Sequence, residues 1–145
     1  MKKQYNLDNL STLVKGNLVI IIISKRISKD MLKKYSDLYP LAYLHLMFIK
    51  NVEGISQVEL ADLTNTNTST MHRNIKSLFD NNYIVKRISA RANENEIYLT
   101  QKGEEVVQDI IYWVNEYEKE MGFDKDNTKE LSFMFKKIIN KYSDF

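Results

Sequence analysis

Apolar side chains between Leu7 and Leu32 return every three or four positions, through Leu10, Leu13, Val14, Leu18, Ile21 and Ile22. That spacing is the repeat of an α-helix and predicts one long helix over residues 7–34. The longest apolar run, Leu18 to Ile23, predicts a helix segment buried on most sides. Pro40 suits the first turn of a second helix, where its missing N–H costs nothing. Leu41, Leu44, Phe48 and Val52 keep helical spacing up to Gly54, a residue type that commonly ends helices. Ser56-Gln57-Val58-Glu59 has the form of a capping box. The Ser hydroxyl accepts from the Glu59 N–H, and the Glu carboxylate reaches back to the Ser56 N–H. Ile55 and Leu60 supply the matching hydrophobic staple, and a short helix over 57–63 follows. Thr64 to Thr66 break the pattern, and Asn67 can cap another helix. In that helix Met71, Ile75, Leu78 and Phe79 share one face, and Ser69, His72, Arg73 and Lys76 share the other.

The period then changes. Asn81 and Asn82 tolerate the left-handed backbone that a tight helix exit requires. Ile84 to Ser89 and Glu96 to Thr100 are rich in β-branched and aromatic residues, which predicts two short strands joined by a turn over 91–95. After Gly103 helical spacing returns through Val106, Val107, Ile110, Ile111, Val114, Tyr117 and Met121. Gly122 interrupts it. A last helix carries Leu131, Met134, Phe135, Ile138, Ile139 and Tyr142. The order predicts a mainly α chain: a winged helix-turn-helix, three helices plus a two-stranded β-hairpin wing, over residues 36–100. Helices in 1–35 and 101–145 flank it within a single domain spanning 1–145.

Composition narrows the chemistry. The 145 residues contain four Gly, one Pro and no Cys. So few turn residues argue against sandwiches and barrels. The absence of Cys excludes disulfide scaffolds, thiolate zinc sites and thiol nucleophiles. No run approaches the ~20 apolar residues of a membrane span. Leu18 to Ile23 is followed by Lys25 and Arg26 with no small-residue cleavage site, which fits a signal peptide badly. A cytoplasmic protein is expected. His45 and His72 are the two imidazoles, without the spacing of a metal site. No Gly-rich phosphate loop is present, and no Ser has a His and Asp partner by motif. Neither a metal, a cofactor nor an enzyme activity is expected.

The net charge is +2, but it is unevenly placed. Residues 67–91 hold Arg73, Lys76, Lys86, Arg87 and Arg91 against Asp80 alone, a net +4 that leaves −2 for the rest. A basic helix-plus-wing unit is the electrostatic footprint of a nucleic-acid binder. An α-helix fits the major groove of duplex DNA, and an Arg fork pairs with the O6 and N7 of guanine. The alternative is a solvated helix face, or a winged helix used for protein contact or as a general transcription or chromatin component without operator specificity.

The stretch GISQVELADLTNTNTSTMHRNIKSLFDNNYIVKR, followed by IYLTQKG, resembles the MarR family of winged-helix transcription regulators. The motifs are Glu59-Leu60-Ala61 opening the short helix, Arg73 and Leu78 in the recognition helix, Lys86 and Arg87 entering the wing, and Leu99-Thr100-Gln101-Lys102-Gly103 after it. Two positions depart from the family pattern. Asn82 stands where the family usually has Gly, and Arg91-Ala92-Asn93 stands where the wing tip usually reads Asp-Arg-Arg. The resemblance implies a homodimer built from the terminal helices, acting as a repressor on a pseudo-palindromic operator in double-stranded DNA. Candidate DNA contacts are Asn67, Ser69, Thr70, His72, Arg73, Lys76, Lys86, Arg87 and Arg91. It also implies a small aromatic or anionic effector, for which Tyr43, His45, Met47, Trp113 and Tyr117 are candidate lining residues. Core or dimer contacts are the alternative for those five.

Overall fold

The computed structural model describes residues 6–90 and 94–143. A 3₁₀ turn, Leu7–Asn9, precedes helix α1, Thr12–Lys34. The helix expected from residue 7 therefore starts later. Ser11 has extended backbone and its hydroxyl accepts from the Val14 N–H, so a cap interrupts the apolar spacing. Helix α2 covers Ala42–Asn51. Pro40 lies before it rather than in its first turn, and its carbonyl accepts from the Ser28 hydroxyl at 2.7 Å.

Helix α3, Gln57–Leu63, has the complete capping box: Ser56 N–H to Glu59 Oε2 at 2.7 Å and Glu59 N–H to Ser56 Oγ at 3.2 Å. Asn67 caps helix α4, Thr68–Asp80, through a 2.8 Å bond from the Thr70 N–H. Asn82 leaves α4 at φ +62°, the left-handed conformation that Asn adopts more readily than most side chains. Strands β1, Ile84–Ile88, and β2, Asn95–Leu99, pair antiparallel with Ile84 opposite Leu99 and Arg87 opposite Glu96. The segment before α3 adds a third short rung, since the Ile97 N–H donates to the Ile55 carbonyl at 2.9 Å. Helix α5 spans Gln101–Glu120 and α6 spans Lys125–Tyr142. Asp124 caps α6 in a second capping box, reciprocated by Asn127.

The chain divides into two compact units, residues 1–111 and 112–145. In the first, the core is built from Ile27, Met31, Leu46, Ile49, Leu60, Met71, Ile75, Leu78, Ile84, Ile97, Val106 and Ile110, all buried. Three acidic side chains pin this core from outside. The Asp109 carboxylate accepts from Lys34 at 2.6 Å and from the Tyr35 hydroxyl at 2.5 Å. Asp37 accepts from the buried Tyr83 hydroxyl at 2.6 Å. Glu104 accepts from Lys50 through both oxygens, at 2.7 and 2.9 Å. These bonds tie the end of α1 and the end of α2 to the first half of α5, and the segment between α1 and α2 to Tyr83 just before β1.

Two burial expectations are corrected. Leu18 to Ile22 are exposed, Ile20 and Ile22 each at 60%, because α1 extends past the core that its last turns complete. Phe79 is 47% exposed rather than part of the α4 core face. It sits one position beyond Leu78, and its ring carries the Lys86 ammonium at 5.4 Å instead.

Candidate nucleic-acid interface

Helix α4 separates its two faces sharply. Met71, Ile75 and Leu78 are fully buried, while Ser69, His72, Arg73 and Lys76 are exposed. The exposed row falls at i, i+3, i+4 and i+7, so one strip of helix surface presents a hydroxyl, an imidazole, a guanidinium and an ammonium. Packing of α3 and α4 against the hairpin fixes the direction of that strip. Arg73 Nη2 lies 3.4 Å from the Thr70 hydroxyl, three residues back on the same helix. Lys76 Nζ is 2.5 Å from Asp80 Oδ2, within the same helix. Asn67 is exposed, but its side-chain oxygen is taken up by the cap.

The wing base is equally definite. Lys86 lies over Phe79, and Arg87 stacks on the Tyr98 ring at 4.4 Å. Tyr98 in turn donates to Glu96 at 2.7 Å, and the carboxylate holds its hydroxyl protonated above the usual range. Stacking leaves a guanidinium's edge free to donate while its face is occupied. Lys86 and Arg87 are both exposed. Ile88 is 89% exposed at the end of β1. Arg91 lies outside the described residues.

The solved structures similar to this chain share its layout of six helices and a hairpin. The chain has a MarR-like winged-helix fold. A MarR transcriptional regulator from Methanosarcina mazei Go1 superposes with a TM-score of 0.73 at 18% identity, covering 89% of this chain and 94% of that one. The MepR–DNA complex from S. aureus gives 0.68 at 13% identity, with 90% and 96% covered. MarR from E. coli in its apo form gives 0.68 at 15% identity, with 90% and 99% covered. At these identities the likeness is one of fold. A family model, the B-block binding subunit of TFIIIC, matches residues 44–101. That segment runs from α2 to the start of α5, the winged-helix core without the terminal helices. No curated relative matches the sequence.

The candidate effector residues fall in different settings. Tyr43 is half-buried on α2, and its hydroxyl donates to Ser24 at 2.7 Å. His45 is fully buried, with Nδ1 2.7 Å from the Tyr39 hydroxyl and with Nε2 unpartnered among the described residues. Burial lowers its pKa from 6.5 to about 4, so the ring is neutral at pH 7. Met47 is half-buried, and its carbonyl accepts from Asn51. Trp113 and Tyr117 belong to the second unit, the first half-buried and the second buried. Among the described residues no group of acidic or His side chains can hold a metal ion. No helix there is long and apolar enough to cross a membrane.

Sequence patterning does not show the contacts that three residues make here: Phe79, Tyr98 and Asp80. The first two were hidden because an exposed aromatic under a cation is a tertiary pairing. The third leaves only the i, i+4 spacing of Lys76 and Asp80 as a signal.

Proposed function

We propose that this chain is a sequence-specific double-stranded DNA-binding transcription regulator, acting as a homodimer and a repressor. One observation carries the reading. The exposed strip Ser69, His72, Arg73 and Lys76 is made of donors, with Asp80 the single acid at its end, and it is carried on a helix whose other face is locked into the core. A helix so anchored can enter a major groove without losing packing. Arg73 is assigned to a base edge, with His72 and Ser69 beside it. Lys86 and Arg87 are assigned to phosphates, with Thr70 and Asn67 at the start of the helix. The DNA complex of MepR, a protein of like fold, supports the reading.

Dimerisation is assigned to the terminal helices. In α1, Leu13, Val14, Leu18, Val19, Ile20, Ile21 and Ile22 are exposed, and in α6 so are Leu131, Met134, Phe135, Ile138, Ile139 and Tyr142. Exposed apolar surface on each of these helices, taken separately, marks an interaction site. A two-fold dimer places two reading helices about one DNA turn, ~10 bp, apart. Release by a small aromatic or anionic effector belongs to the same proposal.

The match to a TFIIIC subunit over 44–101 favours a second reading: a winged helix in a general transcription component, without an operator of its own. Sedimentation of the protein with a labelled duplex decides the stoichiometric part. Two chains per duplex are expected; one chain per duplex, or a protein that stays monomeric when helical, rejects the dimeric regulator.

A further inference from the structure

Asp80 is the single acid between residues 67 and 90. It stands at the last position of α4, with its carboxylate 2.5 Å from the Lys76 ammonium, and both side chains are more than half exposed. The helix gains little from it there. A helix C-terminus carries partial negative charge, so an acid at that end is unfavourable. Lys preceding an acid by four residues is the weaker orientation of that pair. The helix end is already closed by Asn81, whose N–H and side-chain amide both donate to the Ser77 carbonyl, at 3.1 and 2.9 Å. A residue that works against its own helix points to a role elsewhere.

We propose that Asp80 is a built-in counter-ion that limits how tightly the reading helix holds duplex DNA. The inference rests on the DNA-binding reading above. Lys76 lies on the exposed strip, three residues beyond Arg73, and Asp80 draws its ammonium toward the helix C-terminus. For Lys76 to meet a phosphate, the pair must open and leave a carboxylate facing the polyanion. Both effects subtract from the part of the affinity that comes from phosphate neutralisation and is blind to sequence. Contacts by Arg73 and His72, nearer the N-terminal end, are untouched.

The test is Asp80→Asn, which keeps size and hydrogen bonding and removes the charge. Binding to a selected site and to a scrambled duplex is measured across a salt series. Each reading helix should bind about threefold tighter near 0.1 M salt, by the same factor on both duplexes. The salt dependence should steepen by about one phosphate contact. In a Lys76→Met background the gain should shrink to the part that comes from the carboxylate's direct repulsion of phosphate, while thermal unfolding of Asp80→Asn stays level or rises. If wild type binds duplex and Asp80→Asn binds equally or more weakly, or gains as much without Lys76, the counter-ion role is wrong. If wild type binds no duplex at any salt, the DNA-binding reading fails, and this inference with it.

Discussion

Replacing Gly103 by alanine should damage this protein more than any other glycine substitution. Gly103 sits buried in the first turn of α5, where its N–H donates to the Thr100 hydroxyl at 3.1 Å. A β-carbon there would lie 2.2 Å from the Tyr83 carbonyl oxygen and 3.2 Å from a Leu99 methyl, where ordinary contact begins at 3.4 Å. The nearest atom is backbone and cannot swing aside. Tyr83 O also accepts from the Thr100 N–H at 3.0 Å, so moving it strains the junction of wing and helix. Overpacking of this kind costs about 1–3 kcal/mol, more where backbone must shift. Alanine returns at most ~1 kcal/mol of helix propensity. A net loss of about 2 kcal/mol is expected, which lowers the urea midpoint by roughly 1 M for a slope near 2 kcal/mol per M. Two internal controls calibrate the assay. Gly16 is mid-helix with nothing within 4 Å of a β-carbon, so Gly16→Ala should stabilise by about 0.5–1 kcal/mol. Gly122 has φ +83° and open space around it, so Gly122→Ala should cost about 1 kcal/mol through backbone strain alone. A Gly103→Ala protein within ~0.5 kcal/mol of wild type, while the controls behave, would refute the packing argument.

Arg73→Ala should cost about 1–3 kcal/mol per half-site and relax base preference at one position; weaker binding with unchanged preference in a competition assay would reassign Arg73 to phosphate. Lys86→Ala should weaken all duplexes alike and make the salt slope shallower by about one unit, and a loss confined to particular sequences would contradict that. His45 is held neutral by burial, with its pKa lowered from 6.5 to about 4. Its contribution is full above pH 6.5 and disappears as pH falls to 4, because only the unfolded ring binds a proton in that window. The slope of stability against pH should therefore carry up to about 3 kcal/mol from this ring, and His45→Phe should flatten it in acid unfolding curves. Ser56→Ala should cost about 1 kcal/mol by removing half of the α3 capping box, read from the same urea curves.

The elements legible in the sequence were those governed by neighbours in the chain. The Ser56–Glu59 box, the Asn67 cap and the Asn82 exit are hydrogen-bond and backbone chemistry within four residues, and each stands where that chemistry puts it. The expected start of α1 failed for the same reason in reverse. Apolar spacing ran on through Ser11, and the cap outweighed the period. Burial was less legible. Leu18 to Ile22 are apolar on all sides yet exposed within this chain, since periodicity states what a surface wants and not which molecule covers it. Phe79 kept helical register with Ile75 but reached past the core to Lys86. Contacts distant in sequence left no trace at all. Asp109 with Lys34 and Tyr35, Asp37 with Tyr83, and the Ile55–Ile97 rung join residues more than 40 positions apart. At the interface the exposed strip on α4 was readable as a pattern, whereas the Arg87–Tyr98 stack was not.

Selection of binding sites from a random duplex library tests the central claim most directly. The account predicts enrichment of two inverted half-sites spaced by about one turn, ~10 bp, with a guanine in each half-site whose enrichment disappears for Arg73→Ala. A library that stays unenriched while the protein binds duplex in bulk would contradict it, and would leave a winged helix that holds DNA without reading it.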